Sequence, residues 1–275
     1  MLVPVAVSLT VVTVGFLFMR RKKEFSLVQK NFEKDVVYVF TYTPSGQVPN
    51  PSPFCMKVLL YLKHRNIPHV QRYDLYPGPR GLLPYIELNG VGYSDSTFIM
   101  QMLDSHFKGK NHPSLSVKAK ADQAVSTAVQ RILENSLYWS LLRFRWYEEE
   151  GWAITSSNLV FNAVPKPFVP FIKHMAQKQT CAKMEKVGIL QYTKEEVQSM
   201  CERDLAAISH FLGDKEYFHG EQMTETDLIV FSFTANLYYF PLQDSITKAM
   251  RKHKNLREFT ERMKVNFEEM FVFDQ

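Results

Sequence analysis

The sequence is poor in cysteine: 275 residues carry three, an odd number. That excludes a disulfide framework and points to a reduced compartment, or to thiols that do not serve as bridges. Internal repeats and low-complexity tracts are absent, and with 45% hydrophobic and 22% charged residues the chain is neither disordered nor collagen-like. Its length suits one large domain or two small ones. Charge is also scarce where a nucleic-acid binder would need it. The net +5 is not spread evenly, because residues 20–34 hold six Lys/Arg against two Asp/Glu. Beyond residue 34 there are 27 basic and 26 acidic side chains, so the globular part is nearly neutral and no nucleic-acid partner is expected.

Charge is absent altogether from residues 1–19. Leu2–Met19 reads LVPVAVSLTVVTVGFLFM and stops at Arg20-Arg21-Lys22-Lys23. As a helix these 18 residues reach about 27 Å, close to the ~30 Å of a bilayer's hydrocarbon core. Pro4 would fall in the first turn, where its missing N–H costs little. A cleaved signal peptide fits less well: no basic residue precedes the run, and no small-residue cleavage site follows it. A buried core helix would show a polar stripe, and Ser8, Thr10 and Thr13 are the polar residues here. Residues 1–19 are therefore expected to be a transmembrane anchor, partnering the membrane through residues 2–19. The basic cluster would hold the globular part in the cytosol, and residues 20–34 read as a basic linker.

The next stretch alternates strand and helix signals. Asp35–Tyr42 is a β-rich run, and Phe54 to about Arg65 is a helix with Ser52 at its N-cap and Pro53 in its first turn. His69–Tyr73 and Leu82–Leu88 are further strands. Asn89-Gly90 marks a hairpin into Val91–Tyr93, and Ser94-Asp95-Ser96 caps a helix through Leu103. This βαββα order over 35–108 is a compact α/β unit. After Gly109, strand patterning is missing. Residues 109–118 read as a linker and 119–275 as an all-α domain. One long amphipathic helix is marked by residues from Ala124 to Phe144. Capping signals at Thr193-x-x-Glu196 and Thr224-x-x-Asp227 open two more, the second running to Phe240, and a last helix spans about Leu256 to Phe271.

The chemistry concentrates at Ser52-Pro53-Phe54-Cys55. A thiol in a helix's first turn meets unpaired N–H groups and the positive dipole end, which favour thiolate. Equally, free cysteine is among the most buried residue types, and Ser52 is itself a good N-cap. Cys181 and Cys201 lack metal-ligand spacing, and His64, His69, His106 and His112 form no partner pattern, so no metal site is expected. Lys57 and Lys63 read as a solvated helix face, and Tyr38 and Tyr42 as strand packing within reach of the site.

Ser52-Pro53-Phe54-Cys55 resembles the glutaredoxin C-P-F-C motif with serine in the first position. With Met56-Lys57-Val58 it is similar to the S-P-F-C-x-K-V segment of the failed axon connections and metaxin-related branch of the glutathione transferase-like superfamily. Leu83-Pro84 before a strand, Asp95-Ser96 at a helix start, Thr224-x-x-Asp227 after Gly220, and Lys254-Asn255-Leu256 before the last helix resemble that superfamily's motifs in the same order. With the N-terminal apolar run added, the chain most resembles the nematode cadmium-responsive lysosomal membrane proteins of that branch. The resemblance implies a thioredoxin-like α/β domain joined to an all-α transferase-type domain. It further implies a cis Leu83-Pro84 peptide and glutathione as a co-substrate held by Leu83, Pro84, Asp95 and Ser96. Ser52 and Cys55 would be the catalytic pair, Ser52 stabilising the thiolate and Cys55 forming a mixed disulfide. A serine in the first position removes dithiol chemistry. The implied role is stress response or cadmium and xenobiotic detoxification at a lysosomal membrane, with homodimerisation common in the superfamily. The alternative it implies is a non-catalytic scaffold at a membrane.

Overall fold

The computed structural model describes residues 25–45, 47–73, 78–109, 115–117, 119–158, 166–242 and 244–272. The expected anchor at residues 1–19 lies outside them. Among the described residues, no helix is long and apolar enough to cross a membrane.

Four strands form one sheet: β1 (Val37–Phe40), β2 (His69–Arg72), β3 (Tyr85–Leu88) and β4 (Val91–Ser94). Their order is β2-β1-β3-β4. β1 runs parallel to β2 and antiparallel to β3, and β4 returns antiparallel on β3. The crossover from β1 to β2 is α1 (Pro53–His64), and α2 (Ser96–His106) follows β4. The β3–β4 turn is set locally. Asn89 and Gly90 both take positive φ, 49° and 79°, as a tight two-residue hairpin requires. This is the thioredoxin-like arrangement expected of the α/β unit.

All four residues of β1 are buried, so both sheet faces are covered. Val37 and Val39 point into the main core, while Tyr38 and Phe40 point the other way, following the two-residue period of a strand. Of the expected linker 20–34, the part from Phe25 on is described, and it packs on the second face. Phe25, Val28 and Val36 pack onto Tyr38, Phe40 and Tyr85, and Phe25 meets Tyr85 edge-on at 5.8 Å. The cause is Glu87, buried in β3, whose two carboxylate oxygens accept the Val28 and Gln29 N–H groups at 2.8 Å each. A buried carboxylate needs such donors, and the segment supplies them.

The helical part begins with the predicted long helix, which is interrupted twice. α3 (Lys120–Ile132) passes through a π turn (Leu133–Leu137) into α4 (Tyr138–Leu142) and a second π turn (Arg143–Tyr147). Each π turn inserts an extra residue and shifts the facing side chains, a feature frequent at functional sites. α5 (Glu149–Asn158), α6 (Val169–Val187), α7 (Lys194–Leu212) and α8 (Glu225–Tyr238) follow, then α9 (Ser245–Lys252) and α10 (Lys254–Asn266). α5 and α9 are not foreseen by the sequence pattern, and α10 begins earlier and ends earlier than the pattern suggests. α8 is central, buried from Thr226 to Leu237. Asp227 secures its start by accepting the Phe218 N–H at 2.8 Å, the Thr224 N–H at 2.8 Å and the Thr224 hydroxyl at 2.7 Å. α1 packs on α8, with Phe54 edge-on to Phe233 at 5.9 Å, so the two domains share one core.

Candidate active site

A cleft of about 1080 Å3 opens between the sheet domain and the helices. Ser52, Leu83, Pro84, Asp95 and Ser96, placed together by the sequence reading, all line it. The Leu83–Pro84 peptide is cis, as the resemblance implies. Ser52 caps α1, its Oγ accepting the Cys55 N–H at 3.4 Å. Asp95 caps α2 at φ 76°, a conformation that Asp tolerates better than most residues. Its Oδ1 accepts the Thr97 and Phe98 N–H groups at 3.0 and 3.3 Å, and Oδ2 lies 3.7 Å from Arg80. Both helix starts thus direct their positive ends at the cleft.

Cys55 does not join them. It is buried and absent from the cleft wall. The thiolate expected from the helix end is reversed: burial pushes the thiol up to about 12, outweighing the Ser52 hydrogen bond. Desolvation wins because the thiol is fully buried. Cys201 is likewise buried, and Cys181 is partly exposed on α6. Among the described residues, no three His, Cys, Asp or Glu side chains converge to hold a metal ion.

Lys57 is the second correction. It is fully buried rather than solvated, with its Nζ 2.5 Å from Glu134 Oε1 and 3.2 Å from Thr97 Oγ1. Gln130 closes the group, donating to Thr97 Oγ1 at 2.8 Å and Glu134 Oε1 at 3.1 Å. Lys63 keeps the solvated position expected of it, 2.8 Å from Glu269. The signal for Lys57 was present. It stands in a run, Met56 to Leu62, otherwise apolar on every face, so no solvated side remained for it.

Sequence reasoning also missed the far half of the cleft. Tyr138, Trp139, Leu141, Leu142 and Trp146 enter it from the helix with the two π turns, and Phe240 enters from beyond α8. Burial pushes the Tyr138 phenol up to about 12, so it is neutral at physiological pH. Arg145 joins this wall while 96% buried, anchored by Pro51 and Asn236, and burial draws its guanidinium down to about 9. Tyr42 lines the cleft as anticipated, whereas Tyr38 turns to the opposite sheet face.

Comparison with known proteins agrees with this architecture. The family description "Glutathione S-transferase N-terminal domain" matches residues 53–151, and "Glutathione S-transferase, C-terminal domain" matches 201–263. Failed axon connections of Drosophila melanogaster is 29% identical over 88% of this chain, which spans 60% of that protein's length. Isoprene-epoxide–glutathione S-transferase of Rhodococcus is 26% identical over 85% of this chain and all of the relative. Metaxin-2 of Mus musculus is 23% identical over 70% of this chain and 72% of its own. A glutathione S-transferase of Ceriporiopsis subvermispora, solved in complex with glutathione, shares the fold at TM-score 0.61 and 15% identity, over 87% of this chain and 99% of that one. The chain is therefore a glutathione S-transferase-like protein, an N-terminal and a C-terminal domain of that type in series, related in sequence to Failed axon connections and Metaxin-2.

Proposed function

We propose that the protein is a membrane-tethered, glutathione-binding transferase that acts in cadmium or xenobiotic detoxification through the glutathione thiol. One observation carries the glutathione reading: Ser52, Leu83–Pro84 and Asp95–Ser96 meet on one wall of one cleft. The chemistry of that wall suits the tripeptide. The start of α2 and the Ser96 hydroxyl would take the γ-glutamyl carboxylate, with Asp95 facing the amine. The edge at Leu83 would pair with the cysteinyl backbone. Ser52 would donate its hydroxyl proton to the sulfur and stabilise the thiolate. Arg72 and Arg80 on the same wall offset the ligand's net negative charge. With Cys55 buried, the sulfur attacking the second substrate is the tripeptide's own, and mixed-disulfide chemistry at Cys55 is not part of this reading.

The tether rests on the apolar run and its basic stop, with a lysosomal membrane as the site that the family resemblance suggests. Cadmium would be handled as the glutathione complex rather than by protein ligands. A scaffold role is the second reading. It is favoured by Phe168 and Phe171 at the head of α6, 61% and 62% exposed, and by the similarity to Metaxin-2.

Calorimetric titration with glutathione tests the choice. Binding between micromolar and low millimolar, about −4 to −8 kcal/mol, is expected. Asp95→Asn keeps the helix cap and should weaken it at least about tenfold. Ser52→Ala should leave affinity nearly unchanged while raising the bound thiol's pKa, read by thiolate absorbance. No heat at about 10 mM glutathione from folded protein would overturn the transferase reading in favour of the scaffold.

A further inference from the structure

Building on the glutathione reading of the sheet-side wall, we propose that the helical half of the cleft is a subsite for an apolar co-substrate bearing a carboxylate, with Arg145 as its charge partner. The half is walled by Trp139, Leu141, Leu142, Trp146 and Phe240. Apart from Glu134, which Lys57 holds, its charged lining groups, Arg145 and Lys183, are both basic. The two acids that reach the cleft are already matched, Asp95 with Arg80 and Glu134 with Lys57.

Arg145 is a cation held by neutral groups. Its Nη1 donates to Pro51 O at 3.0 Å and Asn236 Oδ1 at 3.2 Å, and Nη2 donates to Asn236 O at 2.5 Å. The guanidinium carbon sits 3.8 Å from the centre of the Phe240 ring. Among the described residues no carboxylate lies within ion-pair distance, and Asp244 acts on it only through space. Its Nε is buried with no acceptor. Buried charges are ordinarily paired, because desolvation otherwise costs several kcal/mol.

A second unsatisfied group lines the same half of the cleft. Thr155 is 4% exposed, and its Oγ1 has no partner. α5 rests directly on Arg145: a Cβ built on Gly151 would lie 3.3 Å from the Arg145 Cα. Thr155 follows one turn later on the same face. A carboxylate accepts from both the guanidinium N–H and the hydroxyl, while the indole and phenyl walls take an apolar body. A neutral molecule of the same shape gains only the walls.

The test compares 1-naphthaleneacetate with 1-naphthaleneacetamide, titrated by calorimetry into the full-length protein with and without glutathione. The acid is expected to bind at least about tenfold more tightly than the amide, as a charge-assisted pair requires. Thr155→Val replaces the unpartnered hydroxyl with a methyl of equal shape. It should fold as stably as the parent, lose about three- to tenfold in acid affinity and leave the amide within about twofold. Arg145→Gln should abolish the preference where it folds. Equal binding of acid and amide, or an acid preference untouched by Thr155→Val, would overturn the subsite, as would no acid binding at about 5 mM. Glutathione heat without an acid preference overturns the subsite alone. An acid preference without glutathione heat overturns the glutathione reading and the co-substrate assignment, while upholding Arg145 as a carboxylate site.

Discussion

The Lys57–Glu134 pair gives a sharp test of how the two domains are joined beside the cleft. Lys57 comes from α1 in the sheet domain and Glu134 from the first π turn of the helical domain. Lys57 is fully buried and Glu134 side-chain exposure is 10%. Lys57→Met leaves a nearly buried carboxylate hydrogen-bonded to the Gln130 amide alone, and Glu134→Leu leaves a buried ammonium hydrogen-bonded to the Thr97 hydroxyl alone, with Glu225 acting on it through space. Each single change should cost about 3–5 kcal/mol, the usual cost of an orphaned buried charge. The double variant should return to within about 1–2 kcal/mol of the parent, because two apolar side chains replace two ions. Gln130 and Thr97 remain bonded to each other at 2.8 Å, so neither is stranded. Urea unfolding followed by circular dichroism, at constant m, measures all four proteins. A coupling of at least about 3 kcal/mol is expected. Additive losses would refute the reasoning, as would a Lys57→Met variant within about 1 kcal/mol of the parent, which would mean that the pair is solvated.

Gly151→Ala places a methyl 1.6 Å from the Phe144 carbonyl oxygen, a backbone atom that cannot step aside. It should destabilise by about 3 kcal/mol or more and weaken binding in the helical half of the cleft; a thermal midpoint equal to the parent's would refute the packing. In native protein, a thiol reagent at pH 7.5 should label Cys181 quickly and Cys55 and Cys201 only on unfolding, because burial drives both buried thiols far above neutrality. Two fast thiols would contradict the burial. Burial also raises the Asp204 carboxyl, against the hydrogen bond from Ser136. A carboxyl raised on folding stabilises the fold while protonated, and that contribution is lost as pH rises through its folded value. Asp204→Asn removes the loss, so its stability relative to the parent should climb from acid pH toward neutrality. A relative stability falling over that range would show the sign to be wrong.

What the sequence discloses here is whatever has a local cause. Asn89-Gly90 makes its own hairpin, and Ser52-Pro53 and Asp95 begin their helices with caps formed within three residues. The chain order of strands and helices could therefore be anticipated, whereas the cis Leu83–Pro84 peptide and the gathering of Ser52, Pro84, Asp95 and Ser96 were legible only through the resemblance to a known superfamily. Where a residue's state depends on distant chain, the local rule failed. Cys55 satisfies every local condition for a reactive thiol, yet burial in the folded protein desolvates it. Lys57 finds its counter-charge 77 residues away. Residues 25–34 look like a solvated linker until Glu87, 59 residues on from Val28, takes their N–H groups.

The same distant contacts fix the geometry that the chemistry needs, which gives the last prediction. The loop carrying Ser52 has little structure of its own and is held from the helical domain. Asn236 in α8 donates to Asn50 O at 3.1 Å, and Arg145 donates to Pro51 O at 3.0 Å. Asn50 in turn accepts the Ser52 N–H at 3.1 Å and donates to Tyr42 O at 2.7 Å. Asn236 is buried and does not line the cleft. Asn236→Ala removes the donor to Asn50 O and an acceptor of Arg145, stranding buried polar atoms at about 1–3 kcal/mol each. Stability should fall by roughly 3 kcal/mol, and the protein that remains folded should bind glutathione several-fold more weakly, with the bound thiol's pKa raised as in Ser52→Ala. A stability loss with glutathione affinity and thiol pKa unchanged would show that the Ser52 loop holds its own shape. It would break the argument that the helical domain positions the serine.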